Sequence, residues 1–100
     1  MGSRQVRLNA TLKDSGNNPI ANKTIQFFYR ASGTTNWNSA GTATTNSNGV
    51  ASVTVTVSTP GTYDFRAYFA GDDQYESAEA IVSNFTVKDK TTITLTVTPL

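Results

Sequence analysis

One hundred residues, of which 37% are hydrophobic and 15% charged, suit one folded domain that buries about 65% of its extended surface, and the composition is that of neither a disordered tail nor a membrane protein. Eight Lys and Arg against seven Asp and Glu leave a net charge of +1, with the basic residues scattered along the chain. That argues against nucleic acid and against a polybasic membrane contact as partners.

The extended segments read with period two, the spacing of half-buried strands, and none reads with the 3.6-residue period of an amphipathic helix. Val6, Leu8, Ala10 and Leu12 alternate with polar residues in a first strand, which the turn formers of Asp14 to Pro19 close. Ile25, Phe27 and Tyr29 share one face of a second strand, with Phe28 on the other. A weaker third strand from about Asn36 to Thr44 carries Trp37. Asn46-Ser47-Asn48-Gly49 ends in Asn-Gly, a hairpin signal, and leads into Ala51, Val53, Val55 and Val57 on one face. Pro60-Gly61 turns the chain into Tyr63, Phe65, Ala67 and Phe69, and Gly71-Asp72-Asp73 ends that strand. Ile81, Phe85 and Val87 are expected on the inner face of a last body strand, with Ser83 the odd member.

Short strands at spacings near ten residues, divided by Gly, Pro and Asn turns, predict an all-β fold: an antiparallel sandwich of about seven strands, with a small open barrel as the other architecture. The expected core is Ala51, Val53, Val55 and Val57 with Ile25, Phe27, Phe65 and Phe69.

Three stretches carry a family resemblance. Gly16-Asn17-Asn18-Pro19 followed by Lys23-Thr24-Ile25-Gln26-Phe27, the segment Gly41 to Ala51, and Gly61-Thr62-Tyr63 through Gly71-Asp72-Asp73-Gln74-Tyr75 resemble the bacterial and archaeal Ig-like repeat domains of adhesins, invasin-type outer-membrane proteins and surface-layer-associated proteins. The resemblance runs from Val6 to Val87. It implies an immunoglobulin-like sandwich in an extracellular or cell-surface protein, acting as a stalk module between neighbouring repeats, and it carries over no catalytic residue.

Chemistry is scarce. Neither His nor Cys occurs, which removes Ser-His and Cys-His nucleophiles and the usual zinc, copper and haem ligands, so no cofactor and no enzymatic activity are expected. Asp72, Asp73 and Glu76, with Asp64, are the candidates for holding Ca²⁺, against the reading of a solvated polar loop. Phe28, Trp37 and Tyr68 are the candidates for an aromatic surface that takes a polysaccharide, against the reading of Trp37 packed on the core edge and Phe28 as an isolated ring. A protein ligand at the loops of one end is the other binding possibility. Asn9, Asn22 and Asn84 begin N-glycosylation sequons, of which about two are expected by chance in a chain this rich in Asn, Ser and Thr.

No apolar run reaches the roughly 20 residues of a membrane span, so no membrane insertion is expected. Residues 1–3 read as a remnant ahead of the domain at 4–87. Residues 88–100 read as a polar junction, Lys88-Asp89-Lys90, and a further strand with Ile93, Leu95 and Val97 on one face. In the family that it resembles, such a segment opens a repeat. The chain is therefore expected to lack its own first strand and to carry its neighbour's. That strand should complete its own sheet when dilute and exchange between molecules when concentrated.

Overall fold

β-Branched and aromatic residues on alternate positions become seven strands: β1 (Arg4–Leu12), β2 (Thr24–Ala31), β3 (Asn38–Thr44), β4 (Val50–Val57), β5 (Gly61–Phe69), β6 (Ala78–Val87) and β7 (Thr91–Val97). The computed structural model describes residues 4–57, 61–87 and 91–97, with side chains at 5–57, 61–86 and 94–97. The remnant at 1–3, the turn residue Pro60, the junction at 88–90 and the side chains of Val87, expected on the inner face, and of Ile93 lie outside the described residues.

The strands form two sheets, β4-β1-β7 and β3-β2-β5-β6. Apolar side chains from both inner faces fill the space between them. Val6, Leu8, Ala10 and Leu12 of β1 meet Ile25 and Phe27 of β2 and Phe65, Ala67 and Phe69 of β5, all of them buried. Ala51, Val55 and Val57 join them, while Val53 is partly buried against the cluster. This is the expected sandwich and, Val53 apart, the expected core.

Two local expectations are corrected. Asn46 to Gly49 do not close a hairpin, because β3 and β4 belong to different sheets. The segment is an arch between the layers. Asn46 Oδ1 accepts the N–H groups of Asn48 and Val50 at 2.9 and 3.1 Å. Gly49 has φ 78°, and a Cβ there would stand 2.6 Å from the Leu12 carbonyl oxygen, so both backbone and space demand glycine.

The second correction concerns β6. Tyr63 pairs with Phe85 but Phe65 pairs with Val82, so two residues of β6, Ser83 and Asn84, oppose the single Asp64. That is a β-bulge, and it shifts the alternation by one. Ala78, Ala80, Val82 and Phe85 therefore pack on the core, and Ile81 points outward, 47% exposed. A second bulge, with Ala40 as the extra residue, lies where Phe27 pairs with Gly41 and Phe28 with Ser39.

β7 completes the smaller sheet in its own chain. It runs parallel to β1, from Val6↔Thr91 to Leu12↔Val97. Leu95 and Val97 are buried and Thr94 and Thr96 exposed, as period two requires.

Candidate functional site

The chemistry-bearing side chains gather on the outer face of the four-stranded sheet. Antiparallel pairing sets Gln26 opposite Tyr68, Phe28 opposite Arg66 and Arg30 opposite Asp64. On the other side of β5, Arg66 faces Ile81 and Tyr68 faces Glu79. Side chains directly across an antiparallel pair lie within about 5.5 Å at Cβ, so this register alone brings aromatic and cationic groups into contact.

Arg66 sits between two rings. Its guanidinium carbon lies 5.2 Å from the centroid of Phe28 and 4.9 Å from that of Tyr68. Its Nε donates to Glu79 Oε1 at 2.6 Å. Arg30 repeats the arrangement, with its guanidinium 4.1 Å from the Trp37 ring and its Nε donating to Asp64 Oδ2 at 2.8 Å. Phe28 and Tyr68 thus share the sheet face, and Trp37, just ahead of β3, is joined to it through Arg30. Phe28 is not an isolated ring, and Trp37 stacks on an arginine. Each ring is half-buried and has a guanidinium against it, and each guanidinium is matched by a carboxylate.

Asp64 organises the edge of this face. It is buried within β5, where its Oδ1 accepts the Asn84 backbone N–H at 2.9 Å and the Ser32 hydroxyl at 2.8 Å. With Arg30 on Oδ2, one carboxylate ties β2, the segment after it and the bulge of β6 together. The Asn84 N–H, then the Arg30 and Ser32 hydrogen bonds, hold its pKa below the ordinary aspartate value, outweighing burial. Sequence reasoning gave Asp64 only a marginal place among the calcium candidates. The signal available was an aspartate in the middle of an aromatic strand, where Asp is disfavoured.

The acidic loop is arranged differently from a metal cage. Asp72 Oδ1 accepts the N–H groups of Gln74 and Tyr75 at 2.8 and 3.0 Å, and Oδ2 pairs with Lys23 Nζ. The Lys23 contact, followed by the backbone donors, lowers the Asp72 pKa. Among the described residues no three His, Cys, Asp or Glu side chains are placed to hold a metal ion. Asp73 and Glu76 are exposed on the same loop.

The sequon asparagines fall into two kinds. Asn9 is on β1, half-buried, and accepts from the Ser52 hydroxyl at 2.6 Å. Asn22 and Asn84 are exposed, with φ of 62° and 56°. Asn17, φ 68°, is the other non-glycine residue at positive φ among those described. Asn tolerates this conformation better than other side chains, so the backbone itself accounts for Asn at these two sequons.

Comparison with known proteins bears on the fold. Chlorocatechol 1,2-dioxygenase from Pseudomonas putida shares 12% identity at a TM-score of 0.61, covering 97% of this chain and 60% of that one. (S)-Allantoin synthase shares 17% at 0.56, over 95% and 41%. A streptococcal ancillary pilin shares 15% at 0.56, over 100% and 34%. The chain thus spans less than two thirds of each of these proteins, and at such identities the likeness is one of fold alone. The curated proteins contain no significant match. The profile of the bacterial Ig-like domain (group 1) matches residues 1–86, and this chain belongs to that family.

Proposed function

We propose that the chain is a non-catalytic structural spacer of a larger extracellular or cell-surface protein. The observation that carries this reading is the direction of β7. Because β7 runs parallel to β1, Arg4 and Val97 stand at opposite ends of the same sheet. A chain that enters at one end and leaves at the other joins its neighbours in series along the strand direction, and the molecule is elongated, 45 × 26 × 19 Å. Family membership and the fold shared with an ancillary pilin support a structural role. The residue content supports it as well, since no His or Cys is present and both stacked arginines of the outer face have carboxylate partners.

The test is small-angle scattering on head-to-tail fusions of one, two and three copies. A spacer lengthens the particle by a constant step with each added copy, a step no longer than the 45 Å longest dimension. Copies that fold back on one another, leaving the maximum dimension nearly constant, would sink the reading.

A second reading, a binding module for polysaccharide, is favoured by one observation, the rings of Phe28 and Tyr68 on one face with Trp37 stacked on Arg30 beside them. Stacking of a sugar on these rings has to displace Arg66 or Arg30. Chemical-shift mapping with cell-wall polysaccharide and with calcium separates the two readings: the spacer stays silent in both titrations, and the module shifts the resonances of Phe28, Arg66 and Tyr68.

A further inference from the structure

We infer that residues 91–97 are an exchangeable strand, and that two copies of this chain at high concentration insert them reciprocally beside each other's β1. The inference is independent of the spacer reading.

The first observation is where the family domain stops. The match ends at residue 86, yet β7 lies beyond it and supplies Leu95 and Val97 to the core. The slot beside β1 is filled by a segment outside the family-matched region. In that slot Lys13 N–H donates to the Val97 carbonyl at 3.0 Å, and Leu12 and Ala10, both fully buried, pair with Val97 and Leu95. Without the strand, β1 would present open N–H and C=O groups above an uncovered apolar row, which is a strand-accepting edge.

The second observation is the path into the slot. β6 ends where β5 begins, since Gly61 pairs with Val87. β7 starts beside the first residues of β1, since Val6 pairs with Thr91. β1 and β4 are antiparallel, with Arg4 opposite Val57, so all of these points lie at one end of the sandwich. The chain must therefore reverse direction and change sheets between Val87 and Thr91. Four Cα steps reach at most about 13–14 Å and packed sheets lie about 10 Å apart, so three residues are a short connection between two sheets. Its residues are Lys88, Asp89 and Lys90, without the Gly, Pro or Asn that a tight reversal favours.

An exchanged pair keeps each contact of β7, and a three-residue connection is the kind of short hinge through which domain swapping occurs. The occupant is therefore the same segment of a second copy: its inward residues, register and direction already match the slot. The tail's own effective concentration, on the order of millimolar for a short linker, sets the protein concentration at which exchange competes.

The chain has no cysteine, which permits a direct test. Thr11 and Thr96 are paired positions on the outer side of the sheet. Neighbouring strands stand about 4.8 Å apart, within the Cα range of a disulfide. A Thr11→Cys chain and an isotopically labelled Thr96→Cys chain are mixed, unfolded, refolded at micromolar and at millimolar concentration, oxidised and weighed intact. Thr56→Cys on β4 with Thr96→Cys is the control for random pairing, because Thr56 faces Gln5 and not β7. Exchange gives the mixed Thr11–Thr96 disulfide in about tenfold excess over the control at millimolar concentration and none at micromolar, following the effective concentration of the tail. A yield equal to the control at both concentrations, or the same excess at both, overturns the inference. The unmodified chain refolded at millimolar concentration provides a second reading by native mass: a dimer is expected, and a monomer alone overturns it.

Discussion

Asp64 accepts three hydrogen bonds that join β2, the segment after it and β6, and its ionisation links stability to pH. Its carboxyl is held below the ordinary aspartate value by the Asn84 N–H, Arg30 and Ser32. A group with a depressed folded pKa contributes stability that is fully present above the unfolded value and is lost as the pH falls through the folded one. The unfolded value is near 3.8. Unfolding free energies of the wild type and Asp64→Asn, measured by urea denaturation, should therefore differ at neutral pH by about 1–3 kcal/mol, since an acceptor of three hydrogen bonds loses its charge. The gap should narrow as the pH drops below 3.8, through the depressed value. A gap of equal size at pH 3 and pH 7 would show that charge is not what the network uses. Asn84 gives a second test at the same place. At φ 56° a residue with a Cβ is strained, so Asn84→Ala should cost about 1 kcal/mol while Asn84→Gly stays close to the wild type in melting temperature. If Gly destabilises as much as Ala, the side chain of Asn84 matters and the backbone explanation fails.

At the scale of elements, the bulge in β6 decides which side chains the core receives. Ile81 opposes Arg66 on the outer face, and Val82 opposes Phe65, fully buried. Ile81→Thr should consequently change the melting temperature little, whereas Val82→Ala should cost about 1–2 kcal/mol from lost packing at a partly buried site. The reverse ranking would mean that β6 keeps an uninterrupted alternation. Strict alternation along β1, β2 and β5 makes their inward faces legible from sequence, because a half-buried antiparallel strand shows period two directly. It fails in β6, where a two-against-one pairing is a property of two strands and leaves no mark in one. The same holds for Asn46 to Gly49. Asn-Gly states a local backbone bend, and whether the flanking strands pair or cross to another sheet depends on which layer each one completes. The outer face was half legible. Phe28 and Tyr68 were visible as outward aromatics, but the arginines stacked on them follow from cross-strand register, which requires the partner of each strand to be known.

At the scale of the whole molecule, the smaller sheet has three strands and depends on its last one. β1 is hydrogen-bonded to β4 on one side and to β7 on the other, and it carries four fully buried side chains, Val6, Leu8, Ala10 and Leu12. Removing residues 91–100 would take away Leu95 and Val97 and open one side of that central strand to water. Each side chain contributes about 1.5–3 kcal/mol by burial, and after the entropy of ordering the tail is set against the pair the net loss should be about 1.5 kcal/mol. For a domain of this size it lowers the melting temperature by roughly 6–12 °C. The exposed apolar edge should at the same time make the truncated chain associate more readily, so its native mass should rise with concentration. Both effects are read in one experiment, thermal unfolding and native mass of the two chains over a range of concentrations. They separate in a diagnostic way when Leu95→Asp and Val97→Asp are placed in the full-length chain. Two carboxylates cannot enter the apolar space between the sheets, so the tail is expelled and the melting temperature falls as in the truncation. The charged tail remains attached and counteracts association, so the mass stays that of a monomer. A full-length chain that tolerates both aspartates without losing stability would show that β7 is a passive extension and that β1 is stable as an edge strand.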